Sequence, residues 1–154
     1  MYYYFFEEDL KDLDKNIDAI KVRLDKIGKE IGESCNQSSE TWHDNFGFEE
    51  GRRQQDMWSK QLSDLLEIRH RARIVPSSIG NDHVSIGSIV EFEDTETKEV
   101  QIYRISSYMI FNQKHGLISY NSPLAKILIR GTVGEERGGI INGKNKIFKI
   151  LKVI

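Results

Sequence analysis

The apolar residues Phe6, Leu10, Leu13, Ile17, Ile20, Leu24, Ile27 and Ile31 are separated by alternating steps of four and three. An unbroken a/d seam of this kind is the pattern of a helix that buries one stripe against another helix. Charged residues such as Asp12, Lys15, Lys21, Asp25 and Lys29 occupy the other faces. The spacing therefore predicts one helix of about 28 residues, roughly 42 Å long at ~1.5 Å per residue. After the polar, turn-prone stretch from Gly32 to Ser39 the seam resumes as Phe48, Gly51, Gln55, Trp58, Leu62, Leu65, Arg69 and Ala72. Two rods of similar length joined by a short irregular segment fold most simply into an antiparallel hairpin. Each stripe pairing instead with another chain is the open alternative.

Ile74-Val75-Pro76 ends the helical pattern, because proline disfavours helix at the residue before it. From Val84 the pattern becomes β-like, with runs Ser88–Glu93 and Val100–Ser106 around the polar turn Asp94–Lys98, read as a hairpin. Ser122 is placed as the N-cap and Pro123 as the first residue of a short apolar helix over Leu124–Ile129. Glycines 131, 134, 138, 139 and 143 punctuate the segment after this helix, and Lys146–Ile154 has the composition of a closing strand. The expected architecture is α+β. It comprises a helical hairpin over residues 1–76 with its tip at about 34–47, a linker at 77–83 and a small α+β domain at 84–154.

The 154 residues hold 22 basic and 24 acidic side chains, so no global basic field draws the molecule to nucleic acid or anionic lipid. Residues 1–78 hold 12 basic and 16 acidic side chains, and the remainder 10 and 8. Nucleic-acid contact must then be local. The run Tyr2–Phe6 lacks the basic flank and the length of a signal peptide, and no segment approaches the ~20 apolar residues of a membrane span. The single cysteine, Cys35, fits a reducing compartment, so the expected location is the cytoplasm.

A helical hairpin has one privileged place, its tip, which enters spaces too narrow for a globular domain. The tip here carries Glu40 and Asp44, with His43 and the aromatic residues Trp42, Phe46 and Phe48. Carboxylates so placed can complete the oxygen shell of a Mg²⁺ ion held weakly by another protein. The plainer reading leaves Glu40 solvated, makes Asp44 or Asn45 a helix cap, and uses the aromatic residues to plug the open end of the hairpin. Arg52 and Arg53, two turns on, can hold an RNA phosphate or simply line a solvated face. Arg69, Arg71 and Arg73 read as complements to a helix C-terminus. His43 has no Cys or second His at ligand spacing, and no phosphate loop or nucleophile elbow is present, so neither a metal site of its own nor a self-contained enzyme is expected.

Three C-terminal elements carry a family resemblance: Val84-Ser85-Ile86-Gly87-Ser88-Ile89-Val90, Ile118-Ser119-Tyr120-Asn121-Ser122-Pro123-Leu124-Ala125-Lys126-Ile127-Leu128, and Gly131-Thr132-Val133-Gly134-Glu135. They resemble the C-terminal domain of the GreA/GreB transcription elongation factors, which also begin with a long helical hairpin. The resemblance implies an FKBP-like C-terminal domain that docks on bacterial RNA polymerase while the hairpin enters its secondary channel. It further implies that the acidic tip assists the polymerase's own Mg²⁺ in cleaving the displaced RNA 3′ end, making the chain an accessory factor without a cofactor of its own. By position, Asn121, Ser122 and Pro123 would face the polymerase, and Arg52 takes the place of a basic residue behind the tip. The expected state is a monomer with no membrane contact. One departure stands out: where the family carries Asp-x-x-Glu, the second carboxylate is matched by Asp44 and the first falls on Thr41, with Glu40 one residue earlier. A Gre-like regulator that binds polymerase without stimulating cleavage is the alternative.

Overall fold

The computed structural model describes residues 1–37, 46–75, 82–110 and 116–154. The chain forms two compact units, one of Met1 with Lys11–Ala72 and one of Tyr2–Leu10 with Arg73–Ile154. The expected linker falls largely outside the described residues.

The first unit is built on helices α1 (Glu7–Gln37) and α2 (Phe46–His70). Glu7, Glu8 and Asp9 set negative charge at the positive end of α1. Every position of the predicted α1 seam is buried or half-buried, with Leu13, Ile17, Ile20 and Ile27 buried. On α2 the seam holds through Phe48, Gly51, Gln55, Trp58, Leu62, Leu65 and Arg69, although only Leu65 is fully buried. The helices run antiparallel: Asp14 meets Arg69, Arg23 meets Trp58, and Ile31 lies against Gly51, so one number falls as the other rises. Gly51, an apparent defect in the stripe, has a packing reason. A Cβ there would meet Ile31 Cγ1 at 2.7 Å, so the missing side chain lets Ile31 fill the seam.

Two readings of the helices require correction. Phe46 is 78% exposed rather than a plug, because it lies outside the three-four seam that begins at Phe48. Arg69 does more than complement a helix end, since antiparallel pairing sets it opposite Asp14. Arg71 pairs with Glu67, and Arg73 lies over the Tyr2 ring.

The second unit begins with β1 (Tyr3–Phe5), which pairs with β2 (Ala72–Ile74) in a two-stranded sheet. Sequence reading assigned Tyr3–Phe5 no strand, because three residues are too few for a period, and it placed Ala72 at the end of the second helical seam; α2 ends at His70 instead, and Ala72 opens β2. The main sheet has five strands in the order β5-β4-β3-β7-β6, with β3 at Ile89–Asp94, β4 at Val100–Ser106, β5 at Leu117–Ser119, β6 at Glu136–Ile141 and β7 at Lys144–Val153. The predicted β3–β4 hairpin is present with Glu91 opposite Ile102, and β7 is the predicted closing strand. Within this sheet β4 and β5 pair in parallel, and the other described pairings are antiparallel. Between β5 and β6 lies α3 (Pro123–Leu128), whose Ala125 and Leu128 join Val84, Val90, Phe92, Ile105, Phe148 and Ile150 in one core. Arg130, with φ of 68°, turns the chain out of α3. Gly131 comes next, where a Cβ would stand 2.3 Å from Ile150 Cδ1 and 2.9 Å from the Leu128 carbonyl.

Candidate functional site

Glu40 and Asp44, together with Thr41, Trp42 and His43, lie outside the described residues. Arg52 and Arg53 are both exposed on α2. Arg53 is engaged, its Nη2 lying 2.8 Å from Glu50 Oε2, and the same carboxylate accepts from Gln54 Nε2 at 3.0 Å. The Gln54 and Arg53 hydrogen bonds hold the Glu50 carboxyl below its usual range. Arg52 has no ion-pair partner among the described residues, so of the two it is the one whose charge an anion would meet uncompensated. Farther along the hairpin, the Arg23 guanidinium stacks 4.3 Å from the centre of the Trp58 ring.

The second predicted site, Asn121-Ser122-Pro123, is built by the start of α3. Ser122 is extended at φ −65° and ψ 151°, and its Oγ accepts from the Ala125 N–H at 3.2 Å. Pro123 supplies the preset φ of the first helical residue and is exposed, while Asn121 and Ser122 are half-buried. The predicted cap is therefore present.

Ser119, to which sequence reading gave no role of its own, fixes the other side of the loop. Ser119 Oγ donates to the Tyr108 carbonyl at 2.7 Å and accepts from the Asn121 N–H at 3.3 Å. The Ser122 N–H returns to the Ser119 carbonyl at 2.9 Å, and the Tyr120 N–H donates to the Ser106 carbonyl at 3.0 Å. The loop is thus held at nearly every residue, which lowers the ordering cost of any contact it makes. No local signal reveals this, because Tyr108 and Ser119 meet only once β5 has paired with β4.

The start of the chain joins this unit as well. The Phe6 N–H donates to Ser107 Oγ at 2.8 Å, and the Ser107 hydroxyl donates to Asp9 Oδ2. The Tyr108 N–H donates to the Tyr4 carbonyl at 3.0 Å, and the Tyr4 N–H reaches Tyr120 Oη at 3.3 Å. Burial raises the Tyr120 phenol above its usual value, with the Tyr4 N–H pulling the other way. Among the described residues no group of three or more His, Cys, Asp or Glu side chains is placed to hold a metal, and no helix is long and apolar enough to cross a membrane.

Comparison with known proteins bears on both units. Residues 79–154 match the family described as transcription elongation factor, GreA/GreB, C-terminal. A transcription elongation factor GreA of Nautilia profundicola is 31% identical over 143 residues, covering 92% of this chain and 87% of that protein. The chain belongs to the GreA/GreB family. A second GreA, from Aliarcobacter butzleri, is 36% identical over 94 residues, a span of 60% of this chain and 58% of that protein. Among solved structures, the GreA factor homolog 1 of Thermus thermophilus covers 100% of this chain and 99% of its own at 20% identity, with a TM-score of 0.47. GreA/GreB membership makes the protein one of the transcription elongation factors.

Proposed function

We propose that this Gre-family protein inserts its helical hairpin into the secondary channel of bacterial RNA polymerase and stimulates the polymerase's intrinsic cleavage of backtracked RNA. The antiparallel course of α1 and α2 is the observation that carries this reading. Glu40 and Asp44 lie in the sequence between these two helices, which supports giving them the tip role.

Carboxylate oxygens suit Mg²⁺, which takes few ligands from any one protein element. The ion belongs to the polymerase active site and the chain holds none of its own, so Glu40 and Asp44 act as added oxygen donors. Arg52, and Arg53 when it leaves Glu50, contact phosphates of the RNA 3′ segment. Asn121, Ser122 and Pro123 dock the FKBP-like unit at the channel mouth. A fold shared with prolyl isomerases does not confer that activity, and the factor acts as a monomeric accessory with no turnover of its own, in the cytoplasm where the polymerase works.

The test uses backtracked elongation complexes with end-labelled RNA and cognate polymerase. The expected result is faster release of short 3′ fragments, lost in Asp44→Ala. A matching loss in Glu40→Ala assigns the second carboxylate to that residue. Thr41 favours a second reading, a channel occupant that tunes the polymerase without promoting cleavage, because only one tip carboxylate matches the family pattern. Competition with a known channel binder without fragment release identifies that case.

A further inference from the structure

We propose that Tyr2 and Tyr4 of the N-terminal strand, with the phenol of Tyr120, extend the docking surface that Asn121–Pro123 begins. The surface takes a protein rim of the polymerase offering apolar side chains to the rings and an oxygen acceptor to the Tyr120 hydroxyl. This inference rests on the docking role proposed above.

The strand sorts its aromatic residues by side. Phe5 is fully buried and Tyr3 half-buried, whereas Tyr4 is 41% and Tyr2 54% exposed, as alternation along an extended chain requires. The inward pair anchors the strand: Tyr3 packs on Tyr108 with centroids 4.3 Å apart, and Phe5 meets the same ring edge-on at 6.4 Å. The outward pair stays about half exposed. Exposed tyrosines held on a fixed backbone give large contact area at low entropic cost, which is why tyrosine is enriched at interfaces.

Continuity with the loop identifies the occupant. The Tyr4 ring meets Tyr120 edge-on at 6.1 Å, its N–H bonds the Tyr120 oxygen, and the next residue is Asn121. A partner that reads Asn121–Pro123 therefore meets these rings next. The Tyr120 hydroxyl accepts the Tyr4 N–H, and among the described residues nothing takes its own hydrogen, which a hydroxyl can donate at the same time. A tyrosine phenol keeps that hydrogen at neutral pH. Arg73 lies 4.3 Å over the Tyr2 ring, which holds that ring beside the patch.

The experiment measures binding of the full chain to immobilised core polymerase for wild type, Tyr2→Ser, Tyr4→Ser, Tyr120→Phe and Asn121→Ala, with a thermal melt of each. Tyr4→Ser removes a ring that also meets Tyr120 but keeps the backbone N–H, so its affinity is read together with its melt. We expect Tyr4→Ser and Tyr120→Phe each to weaken binding about fivefold or more, Tyr2→Ser to weaken it less, and the Tyr4→Ser melt to match wild type. If Asn121→Ala weakens binding while the tyrosine variants bind as wild type, this inference is overturned and the docking role stands. If wild type does not bind, or Asn121→Ala binds as wild type, the docking role fails and the inference with it. A wild-type dimer in sedimentation that Tyr2→Ser and Tyr4→Ser dissolve, with polymerase binding unchanged, assigns the patch to a second copy and overturns the proposal.

Discussion

Asp14 and Arg69 face each other across the hairpin, Nε to Oδ1 at 2.5 Å and Nη2 to Oδ2 at 3.2 Å, as a two-pronged pair between residues 55 apart in sequence. The pair reports the register of α1 against α2 directly, because a shift of one turn in either helix separates its partners. Both side chains are more than 40% exposed, so solvent screens the attraction and its energetic contribution is modest. We expect Asp14→Asn to cost less than about 1 kcal/mol in urea unfolding. Reversal to Asp14→Arg should cost more by adding repulsion, and the double variant Asp14→Arg/Arg69→Asp should recover most of that loss. A double variant no better than the single one would show that the helices do not hold this register.

The seam itself carries far more energy. Ile20 is 3% exposed, whereas Val22, two residues on, is 71% exposed. Ile20→Ala deletes buried methylene groups and leaves a void, at an expected cost of about 2–5 kcal/mol. Val22→Ala should lie within about 0.5 kcal/mol of wild type. Equal effects of the two in helical circular dichroism would contradict the assignment of the buried stripe.

The contrast between these residues also explains what could be read from the sequence. The α1 stripe was legible because eight apolar residues repeat at one spacing, and Ser122-Pro123 was legible because a cap is chemistry between neighbours. Strand β1 was not, since Tyr3–Phe5 is fixed by Tyr108, and Phe6 beside it by Ser107, both about a hundred residues away. Strand β6 was hidden for a related reason. Its Gly138 and Gly139 read as turn residues, yet Gly139 is where Ile127 packs so closely that a Cβ would stand 2.6 Å from that side chain. The same limit applied to the loop before α3, whose Asn121–Pro123 segment was singled out in the sequence while the supporting bonds of Ser119, Tyr120 and Tyr4 were not legible there. Arg53 showed the converse: a charge placed correctly on the helix, whose pairing with Glu50 bears on how much of it a ligand meets.

Ser122 caps α3, so its loss tests stability and the proposed docking together. In Ser122→Ala the Ala125 N–H loses its acceptor, and a six-residue helix has few bonds to compensate. The expected cost is about 1 kcal/mol, together with weaker polymerase binding because the cap fixes the loop. Asn121→Ala and Pro123→Ala should instead weaken binding with little change in melting temperature. A large drop in melting temperature with normal affinity in those two variants would make the loop purely structural.

Asp94 provides the pH test. It is 8% exposed at the end of β3, where its Oδ2 meets Lys146 Nζ at 3.0 Å and its Oδ1 accepts from the Glu96 and Thr97 N–H groups at 2.9 and 3.3 Å. The Lys146 ammonium first, and then the backbone N–H groups, hold the carboxyl below its usual value, outweighing the opposing effect of burial. The folded state therefore favours the charged form more than the unfolded chain does. Across that interval the unfolded chain binds more protons, so stability increases with pH. The contribution is complete above the ordinary carboxylate range and is lost as pH falls below about 4. Asp94→Asn keeps an oxygen for the turn N–H groups and removes the charge, so its unfolding free energy should change less between pH 6 and pH 3 than that of wild type, measured on the same urea curves. Glu135 is depressed in the same way, chiefly by the Thr132 N–H, so some acid sensitivity should persist in the variant. An identical pH slope in Asp94→Asn and wild type would mean that the Lys146 pair does not distinguish folded from unfolded chains.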